Sequence, residues 1–572
     1  MRTFLFLFLL ICISSLFLFS CTKNIAEFSS SNDSLTKSYE KSEVFNEASG
    51  LWLTPQEIPY TTKNMRLAHS RLLSGDSHYK VPSDILPELM NLKDVSASHW
   101  AISISPINLS QQRALERDST ILISYIPFGY DIAQGLNDSM CGDVCIEEDC
   151  QQFLDCDSLS VSEEITPSIL YAIWPVGKQV PDSLDYSIEY ELYLPSYYSD
   201  NHMPSEAEVI LEKEALYLVG INADEGLTKA DEPRQPAYSD GRDGRQGYVK
   251  VYDNSICSYV PLPDVKVQIG VAGVPMLSQY TDSDGFFAFS ITSPISYSLN
   301  FILQTGDWTI TEYGSSAAVI VNAGRVRDYW PSSSDTFAII NLSGNNTTTI
   351  QRALSSLRNN GCNNTPYWTL SPNMEITYND NVHPSGYLGT FTPSTRDINI
   401  YYQNSSKRLI GTVIHEVGHA IQMESKGSID LYYLNPKILR ESFASFMGWY
   451  YGCQYYVDLG IYSSFPVTDI TGNNRQRWHK TDTTIYRNYS PIFIDMVDAR
   501  NQHVSSSSPY PYDLLSGCPL PIIKDLAMSK TSIEDIMQFS ITHNSYFRTT
   551  TENIETYFDD YVYRINNVGY EQ

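Results

Sequence analysis

A short motif in the last third of the chain, Thr412-Val-Ile-His415-Glu416-Val-Gly-His419, joins two histidines and a carboxylate at the spacing HExxH. Residues four apart on an α-helix lie on one face, so His415 and His419 can each direct a ring nitrogen at a single ion. Glu416 then lies where a general base would take a proton from a water molecule held by that ion. A pair of structural histidines on a buried helix is the alternative interpretation. The spacing favours a hydrolytic site with one zinc ion.

A zinc site of this type needs a third protein ligand and an open position for water, and Glu441 is the candidate ligand. Asn435 is a suitable N-cap and Pro436 a suitable first residue for a second helix, which places Glu441 inside that helix. The interval after His419 is long enough for a helix end, a reversing loop and the start of the second helix. A surface glutamate is the alternative. A packed helix is favoured by the apolar neighbours Leu439, Phe443 and Phe446.

Local patterns predict the elements that must position these residues. Ser405 can cap the start of the motif helix and Gly427 can end it. A helix is expected at 348–358, stopped by the run that ends at Gly361. Alternating apolar residues predict strands at 337–342, 375–378, 387–391 and 397–402.

Together these residues resemble those of the gluzincins, zinc metallopeptidases that combine HExxH with a glutamate farther along the chain. The resemblance implies that His415, His419 and Glu441 bind the zinc ion. It implies that Glu416 is the base, and that residues 335–572 form a zincin-like metallopeptidase domain.

The same resemblance implies features around the site. Zincins place a substrate-binding edge strand just before the active-site helix, and the strand pattern ending at Tyr401-Tyr402 fits that position. Thermolysin-like members carry an aspartate four residues after the third ligand, where this chain has Ser445, so the support of the metal ligands departs from theirs. A donor that stabilises the oxyanion is expected downstream. Tyr486, Tyr489 and His479 lie there, and Tyr489 is the residue we select, although most of the 41 tyrosines must be structural.

The N-terminus carries another chemically distinctive residue, Cys21. A positively charged start is followed by an apolar stretch from Phe4 to Phe19 and then by Cys21, the order of a secretory signal. The ending resembles the bacterial lipobox, which implies that residues 1–20 are removed and that Cys21 carries a lipid. The alternative is an uncleaved N-terminal membrane anchor. Either interpretation predicts an extracytoplasmic protein held at a membrane, and the resemblance implies the bacterial outer membrane.

Composition restricts the class of protein. The chain has 572 residues, which suggests three to four domains. Its hydrophobic residues make up 42% and its charged residues 18%, values typical of a folded globular chain. The formal charge is −28 and no run of Lys and Arg interrupts it, which excludes a nucleic-acid partner bound through phosphate neutralisation.

The chain predicts a multidomain α+β protein. Residues 21–50 are polar and are expected to form a flexible tether. Mixed helix and strand signals predict an N-terminal α/β domain at 51–230. At 246–315, short strands broken by Pro and Asp-Gly turns predict a central β-sandwich, which resembles the carboxypeptidase-regulatory-like, Ig-like module. The zincin-like domain at 335–572 completes the prediction.

Cysteine usage fits an exported protein. Four cysteines, Cys141, Cys145, Cys150 and Cys156, cluster in an acidic segment. Two local disulfides are favoured there over a Cys₄ zinc site, because the compartment is oxidising and CxxC pairs are missing.

The motif helix, the run Glu-Ser-Phe-Ala at Glu441 and the run Tyr489-Ser-Pro-Ile-Phe-Ile-Asp resemble those of exported Bacteroidetes lipoproteins with the same three regions. We therefore expect a membrane-anchored zinc peptidase that hydrolyses peptide bonds of extracytoplasmic proteins or peptides. The alternative is a non-catalytic surface lipoprotein that binds a glycan or a protein partner through its sandwich and N-terminal domains. Neither the substrate nor the oligomeric state follows from the sequence.

Overall fold

The structure is a computed structural model of the chain. The residues it describes belong to one compact unit, Trp52–Gln572. The predicted signal at 1–20, the predicted lipid attachment site Cys21, the predicted tether at 21–50 and the cysteine cluster in the acidic segment lie outside them. The described residues are 52–55, 57–92, 95–133, 166–195, 205–221, 245–271, 274–289, 297–326, 338–342, 346–363, 368–370, 373–381, 388–462, 491–498, 514–547 and 549–558.

The N-terminal part combines an antiparallel sheet with helices. Its elements are β1 (Trp52–Pro55), α1 (Thr62–Ser74), α2 (Leu86–Asn91), β2 (His99–Ser105), α3 (Leu109–Glu116), β3 (Leu122–Ser124), β4 (Tyr130–Ala133), β5 (Leu170–Pro175), β6 (Asp185–Leu192) and α4 (Glu206–Leu218). The larger sheet has the strand order β3-β5-β2-β6, and β1 pairs with β4. β2, α3 and β3 follow one another as strand, helix and strand, and both strands pair with β5 and not with each other.

Two four-stranded sheets form the central part of the chain. Its elements are β7 (Arg245–Asp253), β8 (Ser258–Pro261), β9 (Lys266–Val271), β10 (Val274–Tyr280), β11 (Phe286–Phe289), β12 (Tyr297–Ile302), β13 (Trp308–Glu312), β14 (Ile320–Val326) and β15 (Ala338–Leu342). One sheet has the order β10-β9-β12-β14, and the other joins β11, β7 and β15, with β8 beside β7. Buried residues of both sheets, including Val249 and Phe301, belong to one hydrophobic core.

The C-terminal part carries the motif. Its elements are α5 (Asn346–Leu357), β16 (Met374–Asn379), β17 (Gly389–Thr392), β18 (Asp397–Tyr401), α6 (Ser406–Lys426), α7 (Ile429–Tyr433), α8 (Lys437–Asp458), α9 (Ile492–Asp495), α10 (Leu520–Ser529) and α11 (Ile533–Thr542). Its sheet has the order β13-β16-β18-β17, in which only β17 runs antiparallel to its neighbour. A π-helical segment, Arg358–Asn363, extends α5 past the predicted stop at Gly361.

Two strands cross between the central and C-terminal sheets. β13 lies within the range 246–315 but pairs in parallel with β16, whereas β15 lies within 335–572 but pairs in parallel with β7. Alternation along a strand determines which side chains face the core and contains no information about the partner strand. The two regions are therefore interlocked through their sheets.

The chain is thus a mixed α and β protein with several antiparallel sheets. None of the described helices has the length and hydropathy that a membrane span requires. Among the described residues, Cys257, Cys362 and Cys518 are free thiols.

Candidate metal centre

The motif lies on α6, a helix of 21 residues that is buried over most of its length. Val413, Ile414 and Val417 are fully buried, as expected for a helix that is apolar on more than one face. Gly427 ends the helix in the left-handed conformation with φ of 76°, which confirms its predicted role. Ser405 holds the N-cap position but its side chain makes no capping hydrogen bond, so that part of the prediction was wrong.

The second helix, α8, begins one residue later than predicted. Pro436 has the extended N-cap conformation and Lys437 is the first helical residue. The Asn435 side chain does not cap the helix. Its amide nitrogen donates to the Ala527 carbonyl at 3.3 Å, and its oxygen accepts from Lys426 Nζ at 3.1 Å. Asn435 therefore connects the segment just before α8 to the end of α6 and to α10. The local sequence could not predict these contacts.

Small residues allow α6 and α8 to approach closely. A Cβ added at Gly448 would lie 2.7 Å from the Gly411 carbonyl oxygen, and one added at Gly418 would lie 3.1 Å from Ala444 Cα. The two backbones are therefore nearly in contact at these points. This crossing brings the first part of α8, with Glu441, beside the middle of α6.

The structure brings the three predicted ligands together. Glu441 Oε2 lies 3.4 Å from His415 Nε2 and 3.5 Å from His419 Nε2. Ligand atoms at about 2.1 Å from a tetrahedral zinc ion are separated by about 3.4 Å, so these spacings fit such an ion. One donor atom from each of the three residues lies within 4.8 Å of the others. The donor set is suited to a divalent metal ion.

The triad is enclosed on the side of the histidines. His415 and His419 are 4% and 6% exposed, whereas the Glu441 side chain is 23% exposed. The solvent-accessible part of the triad therefore belongs mainly to Glu441.

Each histidine has a hydrogen-bonding partner on its far ring nitrogen. Ser445 Oγ lies 3.4 Å from His415 Nδ1, and the Tyr432 hydroxyl lies 3.2 Å from His419 Nδ1. A proton on Nδ1 leaves the Nε2 lone pair directed towards Glu441, which is the tautomer that a metal ligand requires. Ser445, the residue four positions after Glu441, therefore lies beside the far nitrogen of His415. Tyr432 was missed by the sequence reasoning, because no local pattern distinguishes it among the other tyrosines.

Glu416 lies next to the triad, against the edge of the C-terminal sheet. It is 3% exposed, and a Cβ added at Gly389 would lie 2.8 Å from its Cγ. Gly389 begins β17, which is one of the two edge strands of this sheet among the described residues, whereas β18 lies between β16 and β17. The expectation that the strand ending at Tyr401-Tyr402 forms the edge was therefore wrong. The chain turns back after β17, so the strand nearest the helix in sequence becomes internal.

The two carboxylates have opposite electrostatic environments. Burial raises the pKa of Glu416 to about 8; the Glu441 charge adds to the rise and His419 opposes it. Burial also acts to raise the pKa of Glu441, but His419 and His415 outweigh it and hold that pKa well below its usual range. Glu441 is thus an anion suited to metal binding, and Glu416 is suited to exchanging a proton near neutral pH.

The predicted oxyanion donor Tyr489 lies outside the described residues, as do Tyr486 and His479. Its role stays a prediction.

Comparisons of the chain with protein-family models, with curated proteins and with solved structures find no match.

Proposed function

We propose that the chain is a zinc-dependent peptidase of the gluzincin type, with a zincin-like C-terminal domain and an Ig-like sandwich before it. The observation that carries the proposal is the triad of His415, His419 and Glu441 beside the buried Glu416. Glu441 Oε2 lies 3.4 Å from His415 Nε2 and 3.5 Å from His419 Nε2. A structural pair of histidines would not need a third donor at this distance or a second carboxylate next to it.

Zinc is the ion that this donor set favours. Imidazole nitrogens suit zinc, and two histidines with one glutamate leave a coordination position open for water, as catalytic zinc sites require. When bound, zinc lowers the pKa of water to about 7 and polarises a substrate carbonyl group. Hard cations such as magnesium prefer oxygen ligands, so two imidazoles argue against them.

Glu416 would perform the proton transfers. Its carboxylate accepts a proton from the attacking water as the water oxygen forms a bond with the peptide carbonyl carbon. The same carboxyl group then delivers that proton to the leaving nitrogen as the carbon–nitrogen bond breaks. A base for this reaction works best with a pKa near the working pH, and burial moves the pKa of Glu416 in that direction.

The position of β17 supports an extended peptide as the substrate. This strand lies at the sheet edge and begins beside Glu416. A peptide added along a sheet edge is held by its main chain, which presents successive carbonyl groups at regular spacing. Such a peptide would bring a carbonyl carbon to the carboxylate and the triad together.

The membrane location is part of the proposal. A lipid on Cys21 would hold the enzyme at the extracytoplasmic face of a bacterial outer membrane, with extracytoplasmic proteins or peptides as substrates. Cys21→Ser should move the protein from the membrane fraction to the soluble fraction, whereas an uncleaved anchor would leave its location unchanged.

The test uses the full chain purified in detergent. We expect about one zinc ion per chain by elemental analysis, and cleavage of a mixed peptide library that a chelator abolishes and added zinc restores. Glu416→Gln should retain zinc and lose cleavage, because the amide cannot accept the proton. Absence of zinc, or cleavage that persists in Glu416→Gln, would contradict the proposal. A zinc-bound chain that cleaves no peptide would favour the non-catalytic alternative.

A further inference from the structure

The first turn of α6 is capped by residues that precede it by about 150 positions in the chain. The Ser406 N–H donates to Asn254 Oδ1 at 2.9 Å, and the Lys407 N–H donates to Ser255 Oγ at 2.8 Å. Asn254 Nδ2 in turn donates to the Asn404 carbonyl at 2.8 Å. The first N–H groups of a helix have no partner within the helix, so these bonds replace the capping bond that Ser405 does not make.

The same turn is connected to two further helices, α5 and α8. Asp253 is fully buried, and its Oδ2 accepts from Arg352 on α5 at 2.8 Å and from the Tyr456 hydroxyl on α8 at 3.0 Å. Its Oδ1 accepts from the Ser255 N–H at 2.9 Å, which holds the turn in shape. Arg352 also donates to the Tyr455 hydroxyl at 2.9 Å. One turn of the central sheet therefore bonds to α5, α6 and α8.

These contacts link the two helices that supply the ligands. His415, Glu416 and His419 lie on α6, and Glu441 lies on α8. Asn254 and Ser255 bond to α6, and Asp253 bonds to α8. The turn therefore sets where α6 lies, along the α6 axis, relative to α8. A shift of about 0.5 Å is enough to spoil a functional constellation of side chains.

We propose that the turn 253–255, at the end of β7, is a positioning element of the metal centre. The sandwich region would then be a fixed part of the peptidase framework and not an exchangeable accessory module. This inference rests on the metal-binding part of the proposed function alone and does not require peptide cleavage.

The experiment compares the metal affinity of three variants of the full chain. The double variant Asn254→Ala/Ser255→Ala removes both capping acceptors and should bind zinc about tenfold more weakly, the loss typical when a group supporting a ligand is removed. Asn254→Asp retains an acceptor oxygen at the positive end of the helix and should bind zinc nearly as tightly as the unaltered chain. Competition with a chelating dye measures the affinity.

Ser205→Ala is the matched control. Ser205 caps α4 through the Glu208 N–H at 3.2 Å, and α4 packs on α1 in the N-terminal part. Loss of the Ser205 hydroxyl should lower the thermal stability, as the loss of any helix cap does, and leave the zinc affinity unchanged.

Two further measurements distinguish a change in the position of the metal ligands from a general loss of stability of the folded chain. The visible absorption of bound cobalt should change in the double variant, because the spectrum reports ligand geometry, and should not change in Ser205→Ala. Hydrogen exchange of the metal-free chain should become faster in residues 406–419 of the double variant. If the double variant does not fold, Tyr456→Phe serves instead, since it removes one donor to Asp253 and retains the ring; we expect a smaller loss of zinc affinity.

An unchanged zinc affinity and cobalt spectrum in a destabilised double variant would overturn the inference. Zinc binding that depends on the turn in a chain that cleaves no peptide would support the inference and contradict the peptidase function. A chain that binds neither zinc nor cobalt would contradict both.

Discussion

The hydroxyl of Tyr432 lies 3.2 Å from Nδ1 of His419, while Nε2 of the same ring lies 3.5 Å from Glu441. The tyrosine thus orients the His419 ring through Nδ1 and leaves Nε2 as the donor for a metal ion. Burial raises the pKa of Tyr432 well above its ordinary value, so the hydroxyl stays neutral. Its ring is fixed by Phe391, with centroids 6.3 Å apart, and by the Arg440 guanidinium at 4.8 Å.

Tyr432→Phe should weaken zinc binding about tenfold, because it removes the partner of His419 Nδ1 and retains the ring. Tyr433→Phe is the matched control: the neighbouring ring also lies under Arg440, at 4.9 Å, but its side chain is 48% exposed. Chelator competition should separate the two variants, and equal affinities would show that the hydroxyl does not support the ligand.

Gly389→Ala should slow catalysis without removing the metal. The new Cβ would lie 2.8 Å from Glu416 Cγ and 2.9 Å from its Oε1, so the carboxylate must move. We expect a lower kcat with full zinc content. Gly306→Ala is the control, since a Cβ there meets nothing within 4 Å. Unchanged kcat in Gly389→Ala would mean that the position of Glu416 does not limit turnover.

Gly448→Ala should separate α6 from α8. A Cβ at this position would lie 2.7 Å from the Gly411 carbonyl oxygen, and backbone atoms cannot turn away as a side chain can. Overpacking of this kind typically costs about 1–3 kcal/mol in the free energy of unfolding. We expect weaker zinc binding as well, measured beside Gly177→Ala, where a Cβ has open space.

Zinc should stabilise the folded chain through Glu441. A ligand present at 100 times its Kd adds about 2.7 kcal/mol to the free energy of unfolding if it binds only the folded state. The thermal midpoint should therefore rise with added zinc in the unaltered chain and stay constant in Glu441→Ala. Glu424→Gln changes another carboxylate, one on α6 that pairs with Arg396 at 3.3 Å, and it should retain the zinc response. A zinc response in Glu441→Ala would place the third ligand elsewhere.

Several features of the site were predictable because they depend on neighbours in sequence. The four-residue spacing of His415 and His419 determines that they share a helix face, and Gly427 ends that helix in the conformation that glycine favours. The placement of Glu441 inside a second helix was also confirmed, although α8 begins at Lys437 and Asn435 has a different partner.

Other features depend on residues that are distant in the chain. Nothing local to Tyr432 indicates that it would hold His419, and nothing local to α6 indicates that Asn254 and Ser255 would cap it. The exchange of β13 and β15 between sheets has the same cause, because a strand pattern does not specify its partner.

The sequence by itself determined which groups are present: two imidazoles and a carboxylate on one helix, and a second carboxylate on another. Only the tertiary structure decided the geometry, because the distance between α6 and α8 depends on how Gly411 and Gly448 meet and on the turn 253–255 that bonds to both helices. Helical periodicity acts over one or two turns, whereas a metal centre needs donors on separate helices to lie about 3.4 Å apart.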